Sequence, residues 1–109
     1  MDTESLAVKK CAPCAGGVEP LKGELLCRWS NQLSPEWKVV AQHHLEREFK
    51  FKNFVDALAF VNKVGALAEA EGHHPDLLLA WGKVTVTVYT HKIGGLHPND
   101  FILAAKIEA

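Results

Sequence analysis

No stretch of this 109-residue sequence comes near the roughly 20 consecutive apolar residues that a membrane-spanning helix requires. Residues 1–10 carry Asp2, Glu4, Lys9 and Lys10 and lack the apolar segment of a secretory signal, so a cytoplasmic protein is expected. Cysteine is scarce: Cys11, Cys14 and Cys27 are too few, and odd in number, for a disulfide framework. A surplus of positive charge is also missing. Lys and Arg total 12 against 13 Asp and Glu, a formal net charge of −1, which argues against direct binding to nucleic acid or an anionic membrane. The signature of disorder is absent as well, since 48% of residues are hydrophobic and 23% charged. A chain of this length fits one small domain.

Cys11 and Cys14 form a CxxC pair, but no second pair completes a four-ligand zinc site, and only Cys27 with a histidine remains to do so. A redox pair would end a strand and open a helix, whereas Ala15-Gly16-Gly17 follows and reads as a loop. Residues 1–19, punctuated by Pro13 and Gly16-Gly17, are expected to form a flexible arm, and residues 20–109 a single domain.

Pro20 and the helical spacing of Leu21, Leu25 and Leu26 predict a short first helix, weakened by Gly23. Residues 37–42 and 45–51 then read as a hairpin. In its second strand Leu45, Phe49 and Phe51 share one face and Glu46, Glu48, Lys50 and Lys52 the other, with Arg47 out of pattern. Asn53 is a candidate N-cap for a long helix that Gly72 ends. Its stripe runs through Phe54, Leu58, Val61, Gly65 and Ala68, widened by Ala57 and Val64. Phe60 and Leu67 fall off that stripe and predict a second apolar face, turned toward another subunit. Residues 77–81 and 83–91 read as a second hairpin, with Val84, Val86 and Val88 on one face and Thr85, Thr87, Tyr89 and His91 on the other. Gly94-Gly95 interrupts the chain, and Pro98-Asn99-Asp100 opens a last helix. The expected fold is α+β, a four-stranded antiparallel sheet with helices on one face, in the order α-β-β-α-β-β-α.

Six histidines are many for so short a chain. His43-His44 is expected at the first hairpin turn, solvated, with the two rings on opposite faces and unable to converge. His73-His74-Pro75 follows the long helix, where a helix C-terminus favours a cationic imidazole and Pro75 holds His74 extended. His91 is expected to close the last strand. An imidazole has an unperturbed pKa of about 6.5 and can give or take a proton near neutrality. Three imidazoles and a carboxylate suit a pair of coupled proton transfers; three imidazoles and a water equally suit zinc. Spacing does not separate those two readings.

The run Glu69-x3-His73-His74-Pro75, then Trp81, His91 and Asp100, resembles the signature of the pterin-4a-carbinolamine dehydratases. Phe49-x-Phe51-x2-Phe54-x2-Ala57-x2-Phe60 and Thr90-His91-x2-Gly94-Gly95-Leu96 are similar to the same family, and the likeness extends over about residues 37–107. The resemblance implies dehydration of 4a-hydroxytetrahydrobiopterin to quinonoid dihydrobiopterin, which recycles the pterin used by aromatic amino-acid hydroxylases. It implies a homodimer or homotetramer, and no metal or organic cofactor. By the same resemblance His73, His74 and His91 line the pterin site, with His73 and His91 as the acid–base pair and His74 holding the hydroxyl. Thr90 and Lys92 are expected to offer backbone contacts to the pterin, Asp100 to orient an imidazole or cap the last helix, and Trp81 to stack nearby or join the core. Glu69 matches the signature or is a solvated charge. Three other readings stand beside this one. They are a non-enzymatic dimerisation cofactor of a transcription factor, a relative acting on another pterin as in molybdopterin metabolism, and a zinc hydrolase.

Overall fold

In the computed structural model, which describes residues 19–108, the chain follows the expected order. Helix α1 (Gly23–Ser30) precedes strands β1 (Lys38–Val40) and β2 (His44–Lys50). The long helix α2 (Phe54–Glu71) leads to β3 (Asp76–Ala80) and β4 (Lys83–Val88). A 3₁₀ turn (His91–Ile93) then precedes α3 (Pro98–Glu108). Residues 1–18, which include Cys11, Cys14 and nearly all of the expected arm, lie outside the described residues, and the free thiol of Cys27 is exposed.

The four strands form one antiparallel sheet in the order β1-β2-β4-β3. Register follows from side-chain alternation. Leu45 pairs with Val88 and Phe49 with Val84, while Val86 and Val84 pair with Leu77 and Leu79 of β3, so one face is apolar but for Arg47. Leu45, Val84, Val86 and Val88 are fully buried there, each contributing about 1.5–3 kcal/mol of burial free energy. Glu46, Glu48, Lys50 and Lys83 take the opposite face and stay exposed, so the helices cover a single side.

Arg47, the residue out of pattern, lies on the apolar face opposite Val86. Its guanidinium stacks over the Phe49 ring at 4.4 Å and bonds Glu108 at 3.0 Å, with Glu36 at 3.4 Å. A planar cation can join an apolar face when its stem packs and its charge is met. This pair ties the end of α3 to the sheet.

Asn53 caps α2 as expected, accepting from the Asp56 amide at 2.8 Å, and Gly72 ends the helix in the left-handed conformation at φ 65°. The apolar stripe of α2 needs correction. Phe54 and Leu58 are exposed, whereas the off-stripe Phe60 packs on Phe49 and Phe51 and Leu67 joins the core. The buried face is centred on Ala57, Val64 and Ala68, because small residues let the helix approach the sheet while Phe60 fills the gap at its side. The outward apolar residues are therefore Phe54, Val55 and Leu58. Helix α3 is buried on nearly every side, from Asn99 to Ala105 and again at Ile107, with Trp29 of α1 against Phe101.

Candidate active site

His73 follows the Gly72 cap immediately, its amide bonded to the Ala68 carbonyl at 3.2 Å. That bond finishes α2 and places the His73 ring near the start of α3. Asp100 sits there, in the first turn of α3, with none of its surface exposed. Its Oδ1 accepts from His73 Nε2 at 2.5 Å. Its Oδ2 accepts from the Thr90 hydroxyl at 2.8 Å and from the His97 amide at 2.9 Å. The His97 contact is half of a capping box, and the His97 ring completes the cap by accepting from the Asn99 amide at 3.1 Å. The positive end of the helix dipole further favours a carboxylate at this position. Capping and orienting, weighed as alternatives from the sequence, are both performed by one side chain.

Because an ionised carboxylate only accepts, the His73 proton toward Asp100 is on Nε2, and neutral His73 presents Nδ1 as a lone pair. His74 repeats the pattern at the surface: its Nε2 contacts Glu69 Oε2, with both side chains exposed. Glu69 is thus a partner of an imidazole and not merely a solvated charge.

Thr90 is buried, and its backbone is used within the protein. Its N–H donates to Gly95 O at 2.9 Å, and its carbonyl accepts from Ile93 and Gly95. Both backbone groups of Thr90 are thus engaged within the chain, and its hydroxyl is bonded to Asp100. The Thr90–Gly95 bridge also ends the strand early: β4 stops at Val88, and His91 opens a 3₁₀ turn instead of closing the strand. Gly95 is needed at that bridge, since a Cβ there would lie 2.6 Å from Pro20 Cβ. Leu21 N–H donates to Leu96 O at 2.8 Å, holding the two segments together.

His91 and Lys92 are exposed on this turn. Trp81 is elsewhere. It is 68% exposed in the turn between β3 and β4. His73 and His91 flank the other end of that hairpin, about 17 Å away at strand rise. Within one chain Trp81 neither stacks on these histidines nor joins the core.

The His43-His44 pair departs from its expected separation. The two Nδ1 atoms lie 3.1 Å apart, and the His43 ring packs on Tyr89 with centroids 4.5 Å apart. Strand alternation does not govern His43, which is a turn residue preceding β2. Tyr89 in turn meets His91 edge-on, with centroids 4.2 Å apart. Tyr89 had shown in the sequence only as a member of the polar face of β4. Among the described residues no three His, Cys, Asp or Glu side chains converge to hold a metal ion. No helix among the described residues is long and apolar enough to cross a membrane.

Residues 19–109 match the family described as Pterin 4 alpha carbinolamine dehydratase. The chain belongs to that family. A protein of Alkaliphilus metalliredigens, provisionally named pterin-4-alpha-carbinolamine dehydratase, is 58% identical over 104 residues, spanning 95% of this chain and 94% of its own. One from Rubrobacter xylanophilus with the same provisional name is 57% identical over 103 residues, spanning 94% and 95%. Among solved structures, the transcriptional coactivator/pterin dehydratase of Brucella melitensis superposes with a TM-score of 0.75 at 30% identity, over 83% of this chain and 96% of that one. A pterin dehydratase-like protein identified as a RuBisCO assembly factor in the alpha-carboxysome shares the fold, with a TM-score of 0.58 at 21% identity over 67% and 86%. Membership in the pterin dehydratase family agrees with the four-stranded sheet and its order of elements.

Proposed function

We propose that this chain is a 4a-hydroxytetrahydrobiopterin dehydratase working by histidine acid–base catalysis. The observation that carries the reading is the buried Asp100 carboxylate. It holds the His73 ring on one oxygen and, on the other, the hydroxyl of Thr90, the residue before His91. Dehydration moves a proton from N5 of the pterin to the departing 4a-hydroxyl. A base must accept the first while an acid protonates the second as the C–O bond breaks, leaving quinonoid dihydrobiopterin and water. His73, its Nε2 engaged by Asp100, offers Nδ1 to the N5 proton. His91, exposed on the next turn, donates to the hydroxyl, and His74, held by Glu69, binds that hydroxyl. Lys92, beside His91, offers a backbone contact to the pterin. The two transfers leave His73 with one proton more and His91 with one fewer, and exchange with water restores both.

The reading places the protein in the cytoplasm beside an aromatic amino-acid hydroxylase, as a homodimer or homotetramer. Exposed Phe54, Val55 and Leu58 on α2 support assembly through that helix. The same residues, with the coactivator name of the Brucella structure, favour a second reading as a partner-binding protein.

A coupled assay tests the first reading. A pterin-dependent hydroxylase generates the carbinolamine, and its decay is followed by ultraviolet absorbance. Wild type should accelerate the decay, and His73→Ala should lose most of the acceleration. Decay at the spontaneous rate with wild type would sink the enzymatic reading and leave the binding one.

A further inference from the structure

His91, like His74, is exposed, but of the three candidate histidines it is the one whose ring no hydrogen bond ties among the described residues. A histidine on a three-residue 3₁₀ turn has two freely rotating side-chain bonds, and an acid that samples several rotamers delivers its proton only from one of them. Something other than hydrogen bonding must hold it.

A row of rings lies beside it. Tyr89 meets the His91 ring at 65° with centroids 4.2 Å apart, an edge-to-face arrangement. His43 lies against Tyr89 at 4.5 Å, and His44 meets His43 through the Nδ1 contact and an 83° ring crossing. That contact needs an N–H on one ring and a lone pair on the other, so it fixes complementary protonation at the two Nδ1 atoms. Glu46 lies 3.9 Å from His44 Nε2 at the far end of the row. His44 and Glu46 belong to β2, whose backbone is paired on both sides in the sheet.

The turn that presents His43 carries an independent sign of constraint. The His43 amide bonds the Val40 carbonyl at 2.9 Å, and the two central residues, Ala41 and Gln42, have φ of 52° and 55°. Non-glycine residues at both positions of such a turn are strained, and strain of this kind persists where the surroundings over-determine it. Here the Gln42 Oε1 accepts from the Gly23 amide at 3.0 Å, pinning the turn to the start of α1.

We propose that Tyr89, backed by His43, is a positioning residue that holds the His91 imidazole in its reactive orientation. The proposal rests on the reading that His91 acts on the pterin. The requirement is for a ring at position 89 and a ring at position 43, and neither the Tyr89 hydroxyl nor a His43 proton is part of it.

Five variants of the full chain, His91→Ala among them, test this, each checked for folding by thermal melting. Tyr89→Leu should lower kcat roughly tenfold with KM changed less than about twofold, while Tyr89→Phe stays within about twofold of wild type. His43→Ala should lower kcat in the same direction and His43→Phe should restore it. The His91 ring signal in carbon-detected NMR should be narrow and displaced by the Tyr89 ring current in wild type and Tyr89→Phe, and broadened in Tyr89→Leu. Wild-type kcat and a narrow His91 signal in Tyr89→Leu would overturn the proposal, as would a Tyr89→Phe rate no better than that of Tyr89→Leu. The two readings fail separately. An unchanged rate in His91→Ala removes His91 from the reaction and this proposal with it, whereas a lost rate in His91→Ala beside an unchanged one in Tyr89→Leu removes this proposal alone.

Discussion

Asp100 Oδ1 lies 2.5 Å from His73 Nε2 across 27 residues of sequence, joining the first turn of α3 to the cap of α2. The carboxylate is fully buried, and each of its oxygens has a partner. A buried acceptor with three donors is stable where it is, and costly to remove.

Asp100→Asn should retain the fold and lose the chemistry. An amide can still accept from Thr90 and His97 through its oxygen, but its NH2 then faces His73 Nε2 and forces the ring proton onto Nδ1. Steady-state kinetics should show a fall in kcat of about 100-fold or more, the scale of losing one acid–base group. Asp100→Ala should in addition lower stability by about 3 kcal/mol, read by urea unfolding, because Thr90, His97 and His73 lose their common acceptor. Equal kcat for Asp100→Asn and wild type would mean that Asp100 serves the fold alone.

Arg47→Ala should destabilise the protein by about 3 kcal/mol, since Glu108, with its side chain 10% exposed, keeps its charge and loses its cation. Arg47→Met, which keeps the stem over Phe49, should recover part of the packing and none of the charge. Thermal melting of the two variants separates these contributions; no loss in either would show that the Arg47–Glu108 pair does not hold the end of α3.

Ala41→Gly should stabilise the protein by about 1 kcal/mol, because an L-residue at φ 52° is strained where glycine is not. Urea unfolding measures it. A lower stability in the variant would mean that the first hairpin turn is not strained, and would weaken the case that it is constrained for the sake of His43.

Much of the fold was legible because secondary structure follows local rules. The alternation of Leu45, Phe49 and Phe51 with Glu46, Glu48 and Lys50, the valines of β4, the Asn53 cap and the Gly72 stop each act within a few residues. Local pattern and structure part where a distant partner decides the outcome. On α2, Phe60 packs on Phe49 and Phe51 and Leu67 packs against the core, while Phe54 and Leu58 stay exposed. The end of β4 is set by the pairing of Thr90 with Gly95, a bridge that spacing does not announce. Trp81, which matches the signature, lies in a hairpin turn at the end of the sheet away from His73 and His91 in the same chain.

By itself the sequence determined the order of elements and the apolar face of the sheet, and it singled out the candidate histidines and carboxylates, since these depend on periodicity, caps and residue type. Tertiary structure alone decided that Asp100 takes His73, that Glu69 takes His74, and that His91 has a ring and not a carboxylate beside it. The reason is physical. A hydrogen bond or ring contact between distant residues exists only after packing has brought their backbones together, and short-range propensity carries no information about which of several eligible partners arrives.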